Sequence, residues 1–225
     1  MRAFERSCGI LMILLLALLP ALGSAQADEA SEAAALAEGI CQQATELEPE
    51  ITQLLLSLQT DTRHLIGLEF RLKTPESTAR KILTDAHDME ISLEEAALGI
   101  HDALRYTFCI DDADYTASVN EIMRAIVDHG CAVYRFKNFW GNTGYKGINA
   151  QLQMPDGQIF ELQLHTQDSY DAKEVKTHAL YEIVRSEEAS EEERETAAAE
   201  MLAVFTQVVP PEGAVDISWP ENPVQ

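Results

Sequence analysis

"GYKGINAQLQMPDGQIFELQLHT", residues 144–166, decides the fold. Two alternating stretches flank Pro155, Asp156 and Gly157, which is turn chemistry, so the segment is expected to be a β-hairpin. Successive side chains in a strand point to opposite faces. Phe160, Leu162 and Leu164 therefore share one side of the second strand, and Glu161, Gln163 and His165 share the other. The apolar side packs. By alternation alone the other is the solvated side of an outer strand; as chemistry it gathers a carboxylate, an amide and an imidazole.

Upstream of the hairpin, "CAVYRFKNF" (131–139) reads as strand and "WGNTG" (140–144) as loop. "DALRYTFCI" (102–110) reads as a buried strand with Asp102 at its start, followed by a helix from about Tyr115 to His129. Further back, Thr74, Pro75 and Glu76 form a helix-start signal, and "LIGLEFRLK" (65–73) is either a strand or a helix end. Residues 30–59 are helix formers, with Pro49 expected to divide them into two helices. Downstream, a helix capped by Asp168 is expected to run to Arg185, then an acidic helix over about Glu191 to Gln207, then an irregular tail. The order of elements predicts an α+β fold, a mixed five-stranded sheet with flanking helices.

The first 27 residues read as an export signal: Arg2 and Arg6, an apolar run from Ile10 to Leu19, and Ala25–Gln26–Ala27 as a cleavage site. The run is shorter than the roughly 20 apolar residues that span a bilayer, so no stable membrane anchor is expected once it is removed. Cleavage takes 27 of 225 residues and leaves 198, enough for one core of ordinary size. Loss of Arg2, Arg6 and Glu5 leaves 14 basic and 37 acidic residues, a net charge of −23. Such acidity argues against DNA as a partner. The cations that remain cluster at 63–81 and 135–146. Cys41, Cys109 and Cys131 are left, either as a Cys109–Cys131 disulfide with one thiol over or as three buried thiols.

Asp102 and Glu161 on neighbouring strands are what Mg²⁺ asks for, since it takes one or two carboxylates together with substrate phosphates. Lysines and arginines beside them would hold those phosphates. Tyr145 offers a ring on which a base could stack. Together these residues point to phosphoryl or nucleotidyl chemistry.

The order "RLKTPESTARK" (71–81), Asp102 heading a strand, "YRFKNF" (134–139), "GYKGIN" (144–149), "ELQLHT" (161–166) and a helix carrying Lys173, Glu174, His178, Tyr181 and Glu182 resembles the synthetase domain of the RelA/SpoT family. The likeness covers residues 65–185 and is nearest to small single-domain and toxin-like members. It implies a nucleotidyltransferase-like synthetase fold and transfer of pyrophosphate from ATP to a nucleotide 3′-hydroxyl. It also implies roles. Asp102 and Glu161 would bind Mg²⁺, with Glu161 as general base and Gln163 supporting it. Arg71, Lys73, Ser77, Lys81 and Lys137 would hold ATP, Tyr145 would stack on the acceptor base, and His178 would fall in the helix after the acidic strand.

Three positions depart from the family pattern. Thr107 replaces an arginine, with Arg105 two positions earlier; Asn149 replaces a histidine, and His165 an arginine. Arg105, Asn149 and His165 are still expected on the substrate side, but the acceptor is left open between a guanine nucleotide, as for guanosine tetraphosphate, an adenine nucleotide and the 3′ end of tRNA. The chain is thus read as an export signal (1–27), an N-terminal helical region (28–62), a synthetase-like domain (63–186) and an acidic helix with tail (187–225). The expected product is a periplasmic or secreted enzyme, of toxin or effector type, with a neutralising immunity protein. The rival is a non-catalytic exported module that binds a nucleotide or a protein.

Overall fold

The computed structural model describes residues 8–186 and 188–222, with side chains from residue 27 onward. The expected export signal therefore lies, but for Ala27, outside the described side chains. Among the described residues no helix is long and apolar enough to cross a membrane.

Helix α1 (Cys8–Ser57) is continuous, so Pro49 does not divide it. A proline removes one backbone donor, but helix can continue around it when burial holds both sides. Here Ala33, Ala37, Cys41, Ala44, Leu47, Ile51 and Leu55 are buried at three- to four-residue spacing through the proline.

The chain divides into two compact units. The first takes residues up to Gln42 with Thr74–Ile100. It holds α2 (Pro75–Met89) and α3 (Leu93–Leu98). As the sequence predicts, Thr74 caps α2 by accepting from the Ser77 N–H, with Pro75 at the first helical position. Ser92 and Glu95 close a capping box at α3.

The second unit, Gln43–Lys73 with His101–Gln225, contains the sheet. Its strands are β1 (Arg63–Ile66), β2 (Arg105–Ile110), β3 (Ala132–Asn138), β4 (Ile148–Gln153) and β5 (Ile159–His165), in the order β1-β2-β5-β4-β3. β2 and β5 pair in parallel; the other pairs are antiparallel, giving the expected mixed sheet. Of the stretch 65–73, only the first two residues are strand, and Leu68–Phe70 is a 3₁₀ turn. The hairpin forms as read: Met154 N–H donates to Gln158 and Gly157, at φ +93°, makes the turn.

Register separates the faces. Tyr106↔Leu162↔Ala150, Phe108↔Leu164↔Ile148 and Phe160↔Leu152 are cross-strand partners, and all of these side chains are buried. α4 (Tyr115–Asp128) adds Tyr115, Val119, Ile122, Met123 and Ile126 to the core. The Tyr115 hydroxyl donates to Leu164 O at 2.8 Å and accepts from Trp140 Nε1 at 2.8 Å.

After β5 the helical region is broken differently from the expectation. The cap is Thr166, in a capping box with Ser169, not Asp168. The short α5 (Gln167–Tyr170) passes into a π-helical segment, Asp171–Lys176, before α6 (His178–Arg185) and α7 (Glu191–Phe205). Thr166 wins because its backbone is extended and its hydroxyl reaches the Ser169 N–H, while Asp168 is already inside the first turn.

Among the described side chains, Cys41, Cys109 and Cys131 are free, buried thiols, which decides against the Cys109–Cys131 disulfide. Cys109 Sγ faces Gln167 Oε1 and Cys131 Sγ faces Met154 Sδ. The apolar core surrounds Cys131, and burial pushes both thiols up to about 11.

Candidate active site

The other face of the sheet is built in rows. Arg105, Glu161, Gln151 and Arg135 are successive register partners across β2, β5, β4 and β3. The next row is Thr107, Gln163, Asn149 and Lys137; the third pairs Cys109 with His165. Partners in register share a face, so the alternation in β5 is continued by alternation in β2, β3 and β4. The polar face of β5 is nonetheless not a solvated one, because Gln163 and His165 are buried and Glu161 is partly so.

Glu161 is held from two sides. Its Oε1 accepts from Gln163 Nε2 at 2.7 Å, and Gln163 Oε1 accepts from Lys173 Nζ at 2.9 Å. Lys173 also pairs with Glu174 at 2.5 Å. Burial pushes the Glu161 pKa above the usual carboxylate value. The Gln163 hydrogen bond opposes this, the Asp102 charge adds to it, and Arg105 and Lys173 pull back. Asp102 lies just ahead of β2 and accepts from Lys73 Nζ at 2.6 Å. The backbone joins these groups: Leu72 bridges Leu104, Arg105 N–H donates to Arg71 O, Lys73 N–H to Ala103 O, and Glu161 N–H to Leu104 O.

Arg71 Nε donates to Glu48 Oε1 at 2.6 Å. Lys137 is exposed on β3, opposite Asn149. His178 begins α6, its Nδ1 3.8 Å from Glu174 Oε2. Ser77 and Lys81 belong to the first unit, in the opening turns of α2.

Tyr145, Asn149 and His165 form one chain of hydrogen bonds. Tyr145 donates to Asn149 Oδ1 at 2.8 Å, which leaves its oxygen to accept from His165 Nε2, also at 2.8 Å. His165 Nδ1 lies 2.8 Å from Ser169 Oγ, so both ring nitrogens have partners. The ring is fully buried; burial first, and the Lys173 charge second, push its pKa down to about 3. Phe139, His165 and Phe205 meet the Tyr145 ring edge to face. A His165 with no exposed surface and both nitrogens engaged touches protein, not solvent.

Four contributors escape a reading of the sequence. Lys173 reaches Gln163 only because the π-helical segment carries it there. His101 Nδ1 lies 3.2 Å from Gln151 Oε1, with its ring 4.8 Å from that of Tyr134. Arg135 and Gln151 complete the Glu161 row, and the alternation of "INAQLQ" (148–153) is the signal that could have found Gln151.

The donor chemistry suits Mg²⁺. Asp102 and Glu161 are carboxylates close enough for one charge to raise the other's pKa, and a divalent cation relieves that repulsion. No cluster of three or more His, Cys, Asp or Glu that could hold a metal occurs among the described residues.

No family model and no curated protein matches the sequence. Among solved structures, the Type VI effector Tas1, in a complex with its immunity protein, is similar at 17% identity and a TM-score of 0.50, over 80% of this chain and 95% of that one. A GTP pyrophosphokinase family protein from Streptococcus pneumoniae is similar at 12% identity and a TM-score of 0.50, over 75% of this chain and 84% of that one. The chain has a RelA/SpoT-like synthetase fold.

Proposed function

We propose that the protein is a pyrophosphotransferase that moves the β,γ-pyrophosphate of ATP to the 3′-hydroxyl of a nucleotide or of tRNA. The observation that carries this reading is Glu161: a carboxylate of raised pKa, aimed by Gln163 and Lys173, with Asp102 felt at the same point. Such a group is a better proton acceptor near neutrality than an ordinary carboxylate.

Glu161 takes the proton of the acceptor hydroxyl as its oxygen attacks the β-phosphorus. The bond between that phosphorus and the oxygen bridging to the α-phosphate breaks, and AMP leaves. Arg71, Lys73 and Lys137 hold the phosphates, with Lys73 exchanging Asp102 for phosphate oxygen. Asp102 and Glu161 would hold Mg²⁺, which neutralises phosphate charge when bound. Arg105, in register with Glu161, stands in for the arginine that Thr107 replaces. His165, buried, acts as a positioning residue for Tyr145 and Asn149.

The reading includes export and a toxin or effector role, on the strength of residues 1–27 and of the toxin-like "DALRYT" (102–107) and "GYKGIN" stretches. A neutralising immunity protein would follow, as Tas1 has. The test is incubation of the protein with Mg²⁺, γ-labelled ATP and, separately, GDP, GTP, ADP, AMP or bulk tRNA. Label is expected on one acceptor, at a rate reduced 100-fold or more in Glu161→Gln. Nucleotide binding with no transfer to any acceptor would replace this reading with the non-catalytic binding module.

A further inference from the structure

Single exposed apolar side chains are ordinary, so an exposed phenylalanine means little by itself. Among the described residues Phe70 is the only exposed phenylalanine, at 69%. Three observations give it a purpose. Its backbone is fixed: Phe70 N–H donates to Gly67 O at 2.9 Å, Gly67 is left-handed at φ +63°, and the Arg71 guanidinium donates to Leu68 O at 2.6 Å within the same turn. Its place is fixed too, since Arg71 and Lys73 follow directly on the ladder that leads through 103–105 to Glu161. Finally, two other aromatic rings are engaged. Tyr145 is packed by three rings, and the exposed aromatic Tyr181 already carries the Arg185 guanidinium 5.3 Å from its centroid.

An exposed ring on a fixed backbone turn, one and three residues ahead of two cations, suits a ligand with a flat apolar part and an anionic part. That is the chemistry of a nucleotide, and base stacking on an aromatic tolerates any base because each has a π-face. We propose that Phe70 is the stacking platform for the base of the ATP whose phosphates Arg71 and Lys73 take up. The proposal rests on the pyrophosphotransferase reading and adds to it the residue that distinguishes a nucleotide from a bare polyphosphate.

The test is equilibrium binding of MgATP and of magnesium tripolyphosphate to the full chain, its Phe70→Ala variant and its Phe70→Trp variant. Phe70→Ala is expected to bind ATP about 10-fold or more weakly while tripolyphosphate binding is unchanged, and Phe70→Trp to bind ATP as the wild type does. Unchanged ATP binding in Phe70→Ala would overturn the proposal while leaving the enzymatic reading intact. Equal losses for both ligands would also overturn it, since the ring would then be structural. A wild type that binds neither ligand would overturn both readings.

Discussion

Gly147 is the glycine of "GYKGIN" that directly precedes β4. At φ +137°, a Cβ there would lie 2.8 Å from His165 Cε1 and 3.2 Å from Leu164 O, so the glycine lets the backbone pass over the buried imidazole. Gly147→Ala is expected to destabilise the protein by about 2 kcal/mol or more, read as a lowered denaturation midpoint. An unchanged midpoint would mean that the ring gives way freely. His165 makes its own prediction. The unfolded chain protonates it near 6.5, the folded one only near 3, so the unfolded state binds the extra proton between those values and stability falls as pH drops through that window. Thermal melting against pH should show His165→Gln with a flatter slope there; equal slopes would contradict the assignment. What the sequence displayed at this scale was residue type and side: Glu161, Gln163 and His165 do share a face. What it hid was burial, because alternation says which way a side chain points and nothing about what lies on top of it.

Among the elements, β3 is an edge strand, and an uncovered edge invites pairing with other chains. The tail covers it. Asn138 Nδ2 donates to Ala214 O at 2.8 Å and to Ile217 O at 3.0 Å, Phe136 N–H to Glu221 Oε1 at 2.8 Å, and Asn222 N–H to Val133 O at 2.7 Å. Asn138→Ala is expected to cost about 1–3 kcal/mol, by leaving carbonyls without a donor, and to raise aggregation on heating. A variant with wild-type melting and solubility would show the strap to be ornamental. The tail reads as irregular in sequence, but Ala214–Asp216 is a 3₁₀ turn; the tail's packing comes from long-range contacts with no local pattern. Strands and the start of α2 were legible because period and capping are local. The break at Asp171–Lys176 was not, because a π-helical turn leaves no mark in apolar spacing that separates it from an α-helix.

Across the whole molecule, a chain of net charge −22 nevertheless sets Lys73, Arg105 and Lys173 against its two acidic site residues. The fold was readable because the hairpin, the Asp102 strand and the capped α2 each reported on themselves, and the order of elements then left few topologies. Which residues would meet was less readable. Arg135, Gln151, His101 and Lys173 come to the polar face through register and through the path of the chain after β5. Burial raises the pKa of Glu161 most and the Asp102 charge adds to it, so Asp102→Asn should move the acid limb of any activity profile to lower pH while it weakens Mg²⁺ dependence. An acid limb that stays in place would remove Asp102 from that role. The most direct measurement is the product balance of a single turnover of ATP with the accepting nucleotide or tRNA. The account predicts AMP and pyrophosphorylated acceptor in equal amounts, both lost in Glu161→Gln; ADP and phosphate, or AMP without labelled acceptor, would contradict it.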